Sequence, residues 1–177
     1  MTDPVDAKSA STNLARGNND PTDNAVPVDR HAPVGQTNQI LYRQATPDDA
    51  DMIHAILRPY VANHKLFART EAEVVELTRH GFIAHVAGRP IGFAAVEVYS
   101  RKLAEVQCLA VRSEHQGQGV GKELVALCVQ RARDLGVVEV MAISSSEEFL
   151  KQCGFDYALP DQKRALFYQL QPRHPEA

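Results

Sequence analysis

The chain has 177 residues, a formal net charge of −3 and an ordinary apolar content of 44%. This length fits one domain, and the slightly negative charge gives no reason to expect a nucleic-acid or membrane partner. No apolar run approaches the length of a membrane span, and the N-terminus has no leader pattern. Three scattered cysteines indicate reduced thiols. We therefore expect a cytoplasmic protein.

The first 38 residues differ in composition from the rest of the chain. They are rich in Asp, Asn, Pro, Ser, Thr and Ala and contain few large apolar residues. Such a segment cannot bury enough apolar surface to offset the entropy lost on ordering. We therefore predict a disordered arm over residues 1–38, a folded domain over 39–171 and a tail over 172–177.

The folded domain is predicted to open with one strand and two helices. Residues 40–43 favour a strand, and the Thr-Pro-Asp-Asp stretch at 46–49 is typical of a helix start. Pro59 is expected to break this helix, because the residue before a proline avoids the helical region. A loop over 59–68 then leads to a capping-box pattern at 70–73, which predicts the second helix.

Three strands are predicted next, over residues 82–87, 91–99 and 103–111. The connections between them are short, which indicates an antiparallel meander.

A glycine-rich turn follows the third strand of the meander. It carries Gly117, Gly119 and Gly121, and the apolar spacing after it predicts a helix that Gly136 ends. Unpaired N–H groups at a helix start and glycines that permit close approach together form an anion site, so a phosphate-bearing ligand is expected. A P-loop is excluded because Glu follows Lys122, and a dinucleotide fingerprint because the third glycine comes one residue early.

The last part of the domain is predicted to contain a parallel strand, a helix and a hairpin. Residues 137–143 are nearly all apolar and favour a buried central strand parallel to the preceding one. Residues 145–148 predict a helix start, and Gly154 ends that helix. Residues 155–158 and 166–170 predict the final hairpin.

Three motifs resemble the GCN5-related N-acetyltransferase (GNAT) family. They are the loop Gln116-x-x-Gly119-x-Gly121, the strand over 105–111, and Phe149-Leu150-x-x-x-Gly154-Phe155. Their order and separation carry the resemblance, since the glycine loop alone also fits a plain turn. The resemblance implies an α/β fold with a mixed sheet of about six to seven strands, about four helices, and splayed strands around the site of acetyl-CoA.

Acetyl-CoA is the co-substrate that the resemblance implies, with its pantetheine arm between the splayed strands and its pyrophosphate on the glycine loop. The pantetheine contacts are expected from the backbone of Cys108, Leu109, Ala110 and Val111. The pyrophosphate contacts are expected from the N–H groups of Gln116, Gly117, Gln118, Gly119, Val120, Gly121 and Lys122. Lys122 adds charge there or is an ordinary solvated lysine. No metal is predicted, because the seven histidines lack ligand-like spacing.

Attack of an amine on a thioester requires a base, and the resemblance gives this role to Glu105. The alternative is an outward-facing charge on a half-exposed strand. On a regular strand, Glu105 and Gln107 share one face and Val106 and Cys108 the other. The N–H of Cys108 or Leu109 can hold the oxyanion, whereas a nucleophilic Cys108 is disfavoured because no activating His is marked.

The resemblance does not indicate a general acid, because Leu150 occupies the position where many members of the family carry Tyr. Ser144 and Tyr157 are the candidate substitutes, although a hydroxyl at the end of a strand, such as that of Ser144, more often serves a turn.

The acceptor is suggested by a narrower resemblance to the acetyltransferase domain of N-acetylglutamate synthases, over residues 56–59 with 66–70, 105–111 and 158–166. It implies L-glutamate as the substrate and a role in arginine biosynthesis. Two substrate carboxylates require cations, so the candidate binding residues are Arg69 first, then Arg58, Lys163 and Arg164, with Cys108 beside them. Each cation can instead be a solvated surface residue.

Two other functions stay open. One is a GNAT enzyme for another amine, such as a protein N-terminus, a lysine, a polyamine or an antibiotic. The other is a non-catalytic acyl-CoA-binding regulatory module, against which Glu105 and the glycines argue. The Lys163–Arg164 pair favours a free amino acid, and the oligomeric state is left open, a homodimer included.

Overall fold

A computed structural model describes residues 39–157 of the chain. The predicted arm and tail, the strand over 166–170, Lys163 and Arg164 lie outside the described residues. The elements that it contains are, in chain order, β1 (Ile40–Gln44), α1 (Ala50–Ala62), α2 (Glu71–Thr78), β2 (Gly81–Val86), β3 (Arg89–Val98), β4 (Leu103–Val111), α3 (Val120–Asp134), β5 (Glu139–Ala142) and α4 (Glu147–Gln152). Short 3-10 turns at Pro47–Asp49 and Ser113–His115 precede α1 and the glycine loop.

The strands form one mixed sheet in the order β1-β2-β3-β4-β5. The first four strands pair antiparallel, as the meander predicted, and β5 runs parallel to β4. This confirms the α/β GNAT fold class, with five strands in the described part of the chain where six to seven were expected. No helix in this part is both long and apolar enough to cross a membrane.

Two apolar clusters pack on opposite faces of the sheet, as the alternation along β3 shows. Phe93 and Ala95 contact the cluster built by α1 and α2, and Ala94 and Val96 contact the cluster built by α3. All four residues are at most 2% exposed. The central strands are therefore fixed between two helical layers, which holds the ends of β3 and β4 firmly in place.

A buried carboxylate ties β1 to the start of α1. Asp49 is 3% exposed and accepts hydrogen bonds from both terminal guanidinium nitrogens of Arg43, each at 2.7 Å. It also accepts the backbone N–H of Thr46 at 2.8 Å. The Arg43 guanidinium, with Thr46, holds the pKa of Asp49 well below its usual range.

Pro59 does not end the first helix, contrary to the prediction. Helix α1 continues to Ala62, so the predicted loop is confined to residues 63–70. Pro59 and Ala55 are both exposed, and water can satisfy the Ala55 carbonyl that loses its helical donor. The turn that follows Pro59 is held on the sheet by Tyr60, whose hydroxyl donates to the carbonyl of Val111 at 2.5 Å.

Strand β5 is shorter and more exposed than the buried central strand that was predicted. Its residues are exposed or half-buried, and Val138 just before it is 76% exposed. In the described part of the chain, β5 pairs with β4 alone and over only four residues. The predicted start of the final hairpin is also absent, since residues 155–157 form no strand.

The two helix starts predicted from capping patterns differ in outcome. The Thr70 side chain accepts the Glu73 N–H at 3.3 Å, and the Glu73 carboxylate accepts the Thr70 N–H at 2.7 Å, so the predicted capping box is confirmed. Ser146 precedes α4 as predicted but makes no side-chain cap.

Candidate active site

The candidate site lies where β4 and β5 separate. Their parallel pairing runs from Leu103 with Glu139 to Val106 with Ala142 and then stops. Beyond Val106 the edge of β4 is therefore not covered by β5, and a gap opens between the two strands. This is the splayed arrangement that the sequence resemblance implies.

A β-bulge in β4 lies at the start of this gap. Phe93 of β3 pairs with Ala110 and Ala95 with Gln107, so β4 carries one extra residue between these pairs. Cys108, inside the bulge, has a φ of +55°, which is uncommon for a residue with a side chain. Such a bulge bends its strand and strengthens its twist, which helps β4 turn away from β5.

The bulge also changes which side chains share a face. Val106 packs in the cluster of α3, whereas Cys108 packs in the cluster of α1 and α2. The prediction that these two share one face is therefore wrong, because the extra residue interrupts the alternation. Gln107 pairs with Ala95, which also lies on the face of α1 and α2, so Glu105, Gln107 and Cys108 all lie on this face.

A hydrogen-bonded network on this face is centred on Gln107. Its Oε1 accepts from Arg69 at 2.6 Å, and its Nε2 donates to a carboxylate oxygen of Glu97 at 2.6 Å. The same Nε2 donates to the hydroxyl oxygen of Tyr99 at 2.8 Å. The Tyr99 hydroxyl in turn donates to Oε2 of Glu105 at 2.5 Å. The predicted base and the first-choice cation thus belong to one network.

The two carboxylates of this network are direct cross-strand partners, Glu97 on β3 and Glu105 on β4. Their hydrogen-bond donors, Gln107 and Tyr99, are neutral, and neither carboxylate has an ion pair within the described part of the chain. Like charges placed directly opposite each other repel. Burial, followed by the hydrogen bond to Glu105, raises the pKa of Tyr99 to about 12, so its hydroxyl remains a donor.

Arg69 lies just before α2 with its side chain 24% exposed. One of its terminal nitrogens is 3.6 Å from the Glu73 carboxylate, and its Nε is buried without a hydrogen-bond partner among residues 39–157. Burial raises the pKa of the Cys108 thiol, although the neighbouring Arg69 guanidinium opposes this effect. Cys108 is thus a protonated thiol, which agrees with its exclusion as a nucleophile.

The glycine loop between β4 and α3 has the geometry of an anion site. Gly117 and Gly119 have φ of +74° and +82°, and a Cβ added at either would meet no atom within 4 Å. The first bond of α3 runs from the Glu123 N–H to the Gly119 carbonyl at 3.1 Å, and Gly119 provides no side-chain cap. The N–H groups of Val120 and the two residues after it therefore have no acceptor within the helix.

Gly121 serves a different purpose from the other two glycines. A Cβ at this position would lie 3.4 Å from the ring of Phe149 in α4, and its φ is not positive. The loop therefore requires glycine for its backbone conformation at Gly117 and Gly119, whereas a Cβ at Gly121 would make an ordinary contact with Phe149.

Gln116 is anchored by its side chain. Its Nε2 donates to the Val111 carbonyl at 3.0 Å and to the Tyr60 hydroxyl oxygen at 2.9 Å. The same Tyr60 oxygen accepts the Val111 N–H at 3.1 Å. Both backbone groups of Val111, which were predicted to bind pantetheine, thus have side-chain partners in the structure.

The two predicted acids make contacts outside the Glu105 network. The Ser144 hydroxyl accepts the N–H of Ser146 at 3.0 Å, which is a turn interaction. The ring of Tyr157 lies 5.2 Å from Nζ of Lys151, and a hydrogen bond with Glu147 raises the pKa of Tyr157. These contacts position α4 and the residues around it.

The other predicted side chains have no partner in this network. Arg58 is exposed on α1, and Lys122 is exposed in the first turn of α3. The structure describes no group of three or more His, Cys, Asp or Glu side chains that is placed to hold a metal ion in residues 39–157.

Sequence reasoning missed Glu97, Tyr99 and Tyr60. The first two could have been predicted from the sequence. Polar residues alternate at 97 and 99 before a short turn and at 105 and 107 after it. A hairpin places such residues on one face. Tyr60 gave no comparable signal, since its partner is 51 positions away.

The model of the Acetyltransferase (GNAT) family matches residues 49–155 of the chain. An uncharacterised N-acetyltransferase of Chlorobaculum tepidum is 32% identical over 113 residues, which cover 64% of this chain and 73% of that protein. The chain belongs to the GNAT family of acetyltransferases.

Two larger proteins are similar over part of their length. The amino-acid acetyltransferase of Ralstonia nicotianae is 32% identical over 143 residues, covering 76% of this chain and 31% of that protein. An N-acetylglutamate synthase of Neisseria gonorrhoeae, solved with coenzyme A and N-acetyl-glutamate, has a TM-score of 0.64 at 28% identity, covering 71% and 30% of the two chains. The matches thus span less than a third of either protein.

Proposed function

We propose that this protein transfers the acetyl group of acetyl-CoA to the α-amino group of a free amino acid, and that L-glutamate is the acceptor. The observation that carries the proposal is the position of Arg69, whose guanidinium joins the network that holds Glu105. An amino acid brings a carboxylate for a cation and an amine for a base, and this face presents both. The names of the larger relatives support the same acceptor class.

The glycine loop and the strand gap suit acetyl-CoA. In this proposal the pyrophosphate accepts hydrogen bonds from the free N–H groups at the start of α3, where no Cβ at 117 or 119 obstructs it. The pantetheine arm lies along the uncovered edge of β4 beyond Val106. The coenzyme A bound to the Neisseria gonorrhoeae enzyme supports the choice of ligand.

The reaction that these residues support is direct transfer. The amine nitrogen forms a bond to the thioester carbonyl carbon, Glu105 accepts the amine proton, and the carbon–sulfur bond breaks as the sulfur takes up a proton. Tyr99 donates to one oxygen of Glu105 and so fixes its orientation. The N–H of Cys108 or Leu109 stays the proposed donor to the oxyanion. Ser144 and Tyr157 stay the sequence-based candidates for the acid.

A second candidate is acetylation of a different amine, such as a lysine or a polyamine. Glu97 and Glu105 are paired carboxylates, and neither of them forms an ion pair with a cation in the described part of the chain. Such a pair favours an acceptor with excess positive charge over a dicarboxylate.

The test is release of free thiol from acetyl-CoA across L-glutamate, other amino acids, a polyamine and a lysine peptide. We expect selective turnover of L-glutamate. Arg69→Gln should reduce kcat/KM for L-glutamate by about ten- to a hundredfold, the value of a lost charge-assisted hydrogen bond, and leave the KM of acetyl-CoA unchanged. Arg79→Gln is the matched control, because Arg79 is an exposed arginine that pairs with Glu76 on α2.

The catalytic part is tested separately by Glu105→Gln. This variant should lose about 10²- to 10⁴-fold in kcat and keep its affinity for coenzyme A. Full turnover would remove Glu105 as the base. Selective turnover of the polyamine or peptide would replace L-glutamate with the second candidate.

A further inference from the structure

The hydroxyl of Tyr60 lies at a position that a neighbouring strand would otherwise occupy. The N–H of Arg112 donates to the Ile91 carbonyl at 2.8 Å, so the backbone of Arg112 faces β3. Because backbone groups of successive strand residues point to opposite edges, those of Val111 face away from β3, towards the gap. Tyr60 accepts the N–H of Val111 and donates to its carbonyl, and so satisfies this edge.

Gln116 extends this contact into the glycine loop. Its Nε2 bonds both the Tyr60 hydroxyl and the Val111 carbonyl, and Gln116 is the first residue of the loop motif. The Tyr60 hydroxyl therefore takes part in three hydrogen bonds that connect the last turn of α1, the end of β4 and the loop. The other hydrogen bonds of the loop are local: Gln118 Nε2 donates to the Glu114 carbonyl at 3.1 Å, and the Gln116 N–H donates to the Ser113 carbonyl at 3.3 Å.

We propose that Tyr60 and Gln116 form a clasp that holds the glycine loop in its phosphate-binding geometry before acetyl-CoA arrives. The inference rests on the proposed binding of acetyl-CoA at this loop and makes Tyr60 a positioning residue. Val111 is then closed to pantetheine, whose pairing with β4 ends before it. A loop ordered in advance loses less conformational freedom on binding, so the clasp strengthens the affinity for acetyl-CoA.

The test is Tyr60→Phe, which removes the hydroxyl and keeps the ring. The dissociation constant of coenzyme A, measured by titration calorimetry, should rise about five- to tenfold, as expected for one lost hydrogen-bond node, with a parallel rise in the KM of acetyl-CoA. The kcat should stay within about twofold, because the chemistry at Glu105 does not use the clasp. Amide hydrogen exchange should become faster at residues 113–122.

Two further variants keep the test independent of a general loss of stability. Gln116→Met removes the other half of the clasp. The double variant should bind coenzyme A as tightly as the single variant with the lower affinity, because both changes break one unit. Thr78→Val removes a buried hydroxyl that donates to the Val75 carbonyl at 2.7 Å within α2, and should leave the affinity for coenzyme A unchanged.

Each outcome decides the question. An unchanged dissociation constant in Tyr60→Phe overturns the clasp, and a lower one overturns it too, because Tyr60 would then compete with pantetheine for Val111. A wild-type protein that binds no coenzyme A contradicts the proposed function itself.

Discussion

Replacing Gly119 with alanine separates backbone strain from ligand contact in the glycine loop. Gly119 has a φ of +82°, and a Cβ there meets nothing within 4 Å, so the substitution causes strain without a clash in the free protein. The left-handed conformation costs a residue with a Cβ about 1–2 kcal/mol. For a domain of this size, the expected fall in Tm is about 2–4 °C per kcal/mol.

The chain contains a matched control in Gly88, between β2 and β3. Its φ is +76°, and a Cβ there also meets nothing within 4 Å. Gly88→Ala should therefore lower the free energy of unfolding about as much as Gly119→Ala. This strain is present with and without ligand, so it cancels from the dissociation constant in both variants.

Only the added methyl at Gly119 stands where a phosphate is proposed to approach. We expect the dissociation constant of coenzyme A to rise at least about tenfold in Gly119→Ala and to stay unchanged in Gly88→Ala, as measured by titration calorimetry beside thermal denaturation. A dissociation constant that stays at the wild-type value in both variants would refute the assignment of the loop. An equal rise in both would show that general destabilisation, rather than a local contact, controls binding.

Three further predictions concern the network, the β1–α1 tie and the third glycine. Tyr99→Phe should reduce kcat about tenfold and leave the KM of acetyl-CoA unchanged in the thiol-release assay, because it removes the shorter of two hydrogen bonds to Glu105, the other coming from Gln107 at 3.3 Å. Asp49→Asn should lower the free energy of unfolding in urea by about 2 kcal/mol, because it breaks a largely buried ion pair whose arginine is partly exposed. Since the folded-state pKa of Asp49 is lowered, its stabilisation is present above about pH 4 and should be lost as pH falls further. Gly121→Ala should keep the wild-type Tm, because a Cβ there makes an ordinary 3.4 Å contact and no strain.

Each of these three predictions would be contradicted by a different result. A KM effect without a kcat effect in Tyr99→Phe would place Tyr99 in binding rather than in orientation of the base. If the free energy of unfolding falls equally in wild type and Asp49→Asn as the pH is lowered, Asp49 does not govern the loss of stability in acid. A lower Tm in Gly121→Ala would mean that α4 cannot adjust around Phe149.

Much of the fold follows from local signals in the sequence. The meander was predicted from three strand-like stretches joined by short turns, and the helix after Gly119 from its apolar spacing, because both signals are local in the chain. Pro59 was misread because the rule for proline is local. Helix α1 continues past it through an exposed turn and a contact between Tyr60 and Val111, and such a distant contact leaves no local pattern.

The candidate site was predicted less completely than the fold. Glu105, Arg69 and the glycine loop came from motif resemblance, and the structure brings the first two into one network. The face of Cys108 was mispredicted because alternation assumes one residue per pleat, and a bulge shows only when the partner strand is known. Glu97 and Tyr99 act across a hairpin, so their role depends on register rather than on a motif.

The bulge in β4 makes chain length, rather than residue type, the sensitive variable in this part of the protein. Deleting Cys108 would pair Leu109 with Ala94 and restore an uninterrupted pleat, so the side chains beyond it would keep their faces while the bend of the strand would be lost. Deleting one residue in the turn at 100–102 would meet the tolerance usual for surface loops. A one-residue deletion should therefore be tolerated in the turn, whereas at the bulge it should give a folded protein whose straighter β4 no longer turns away from β5.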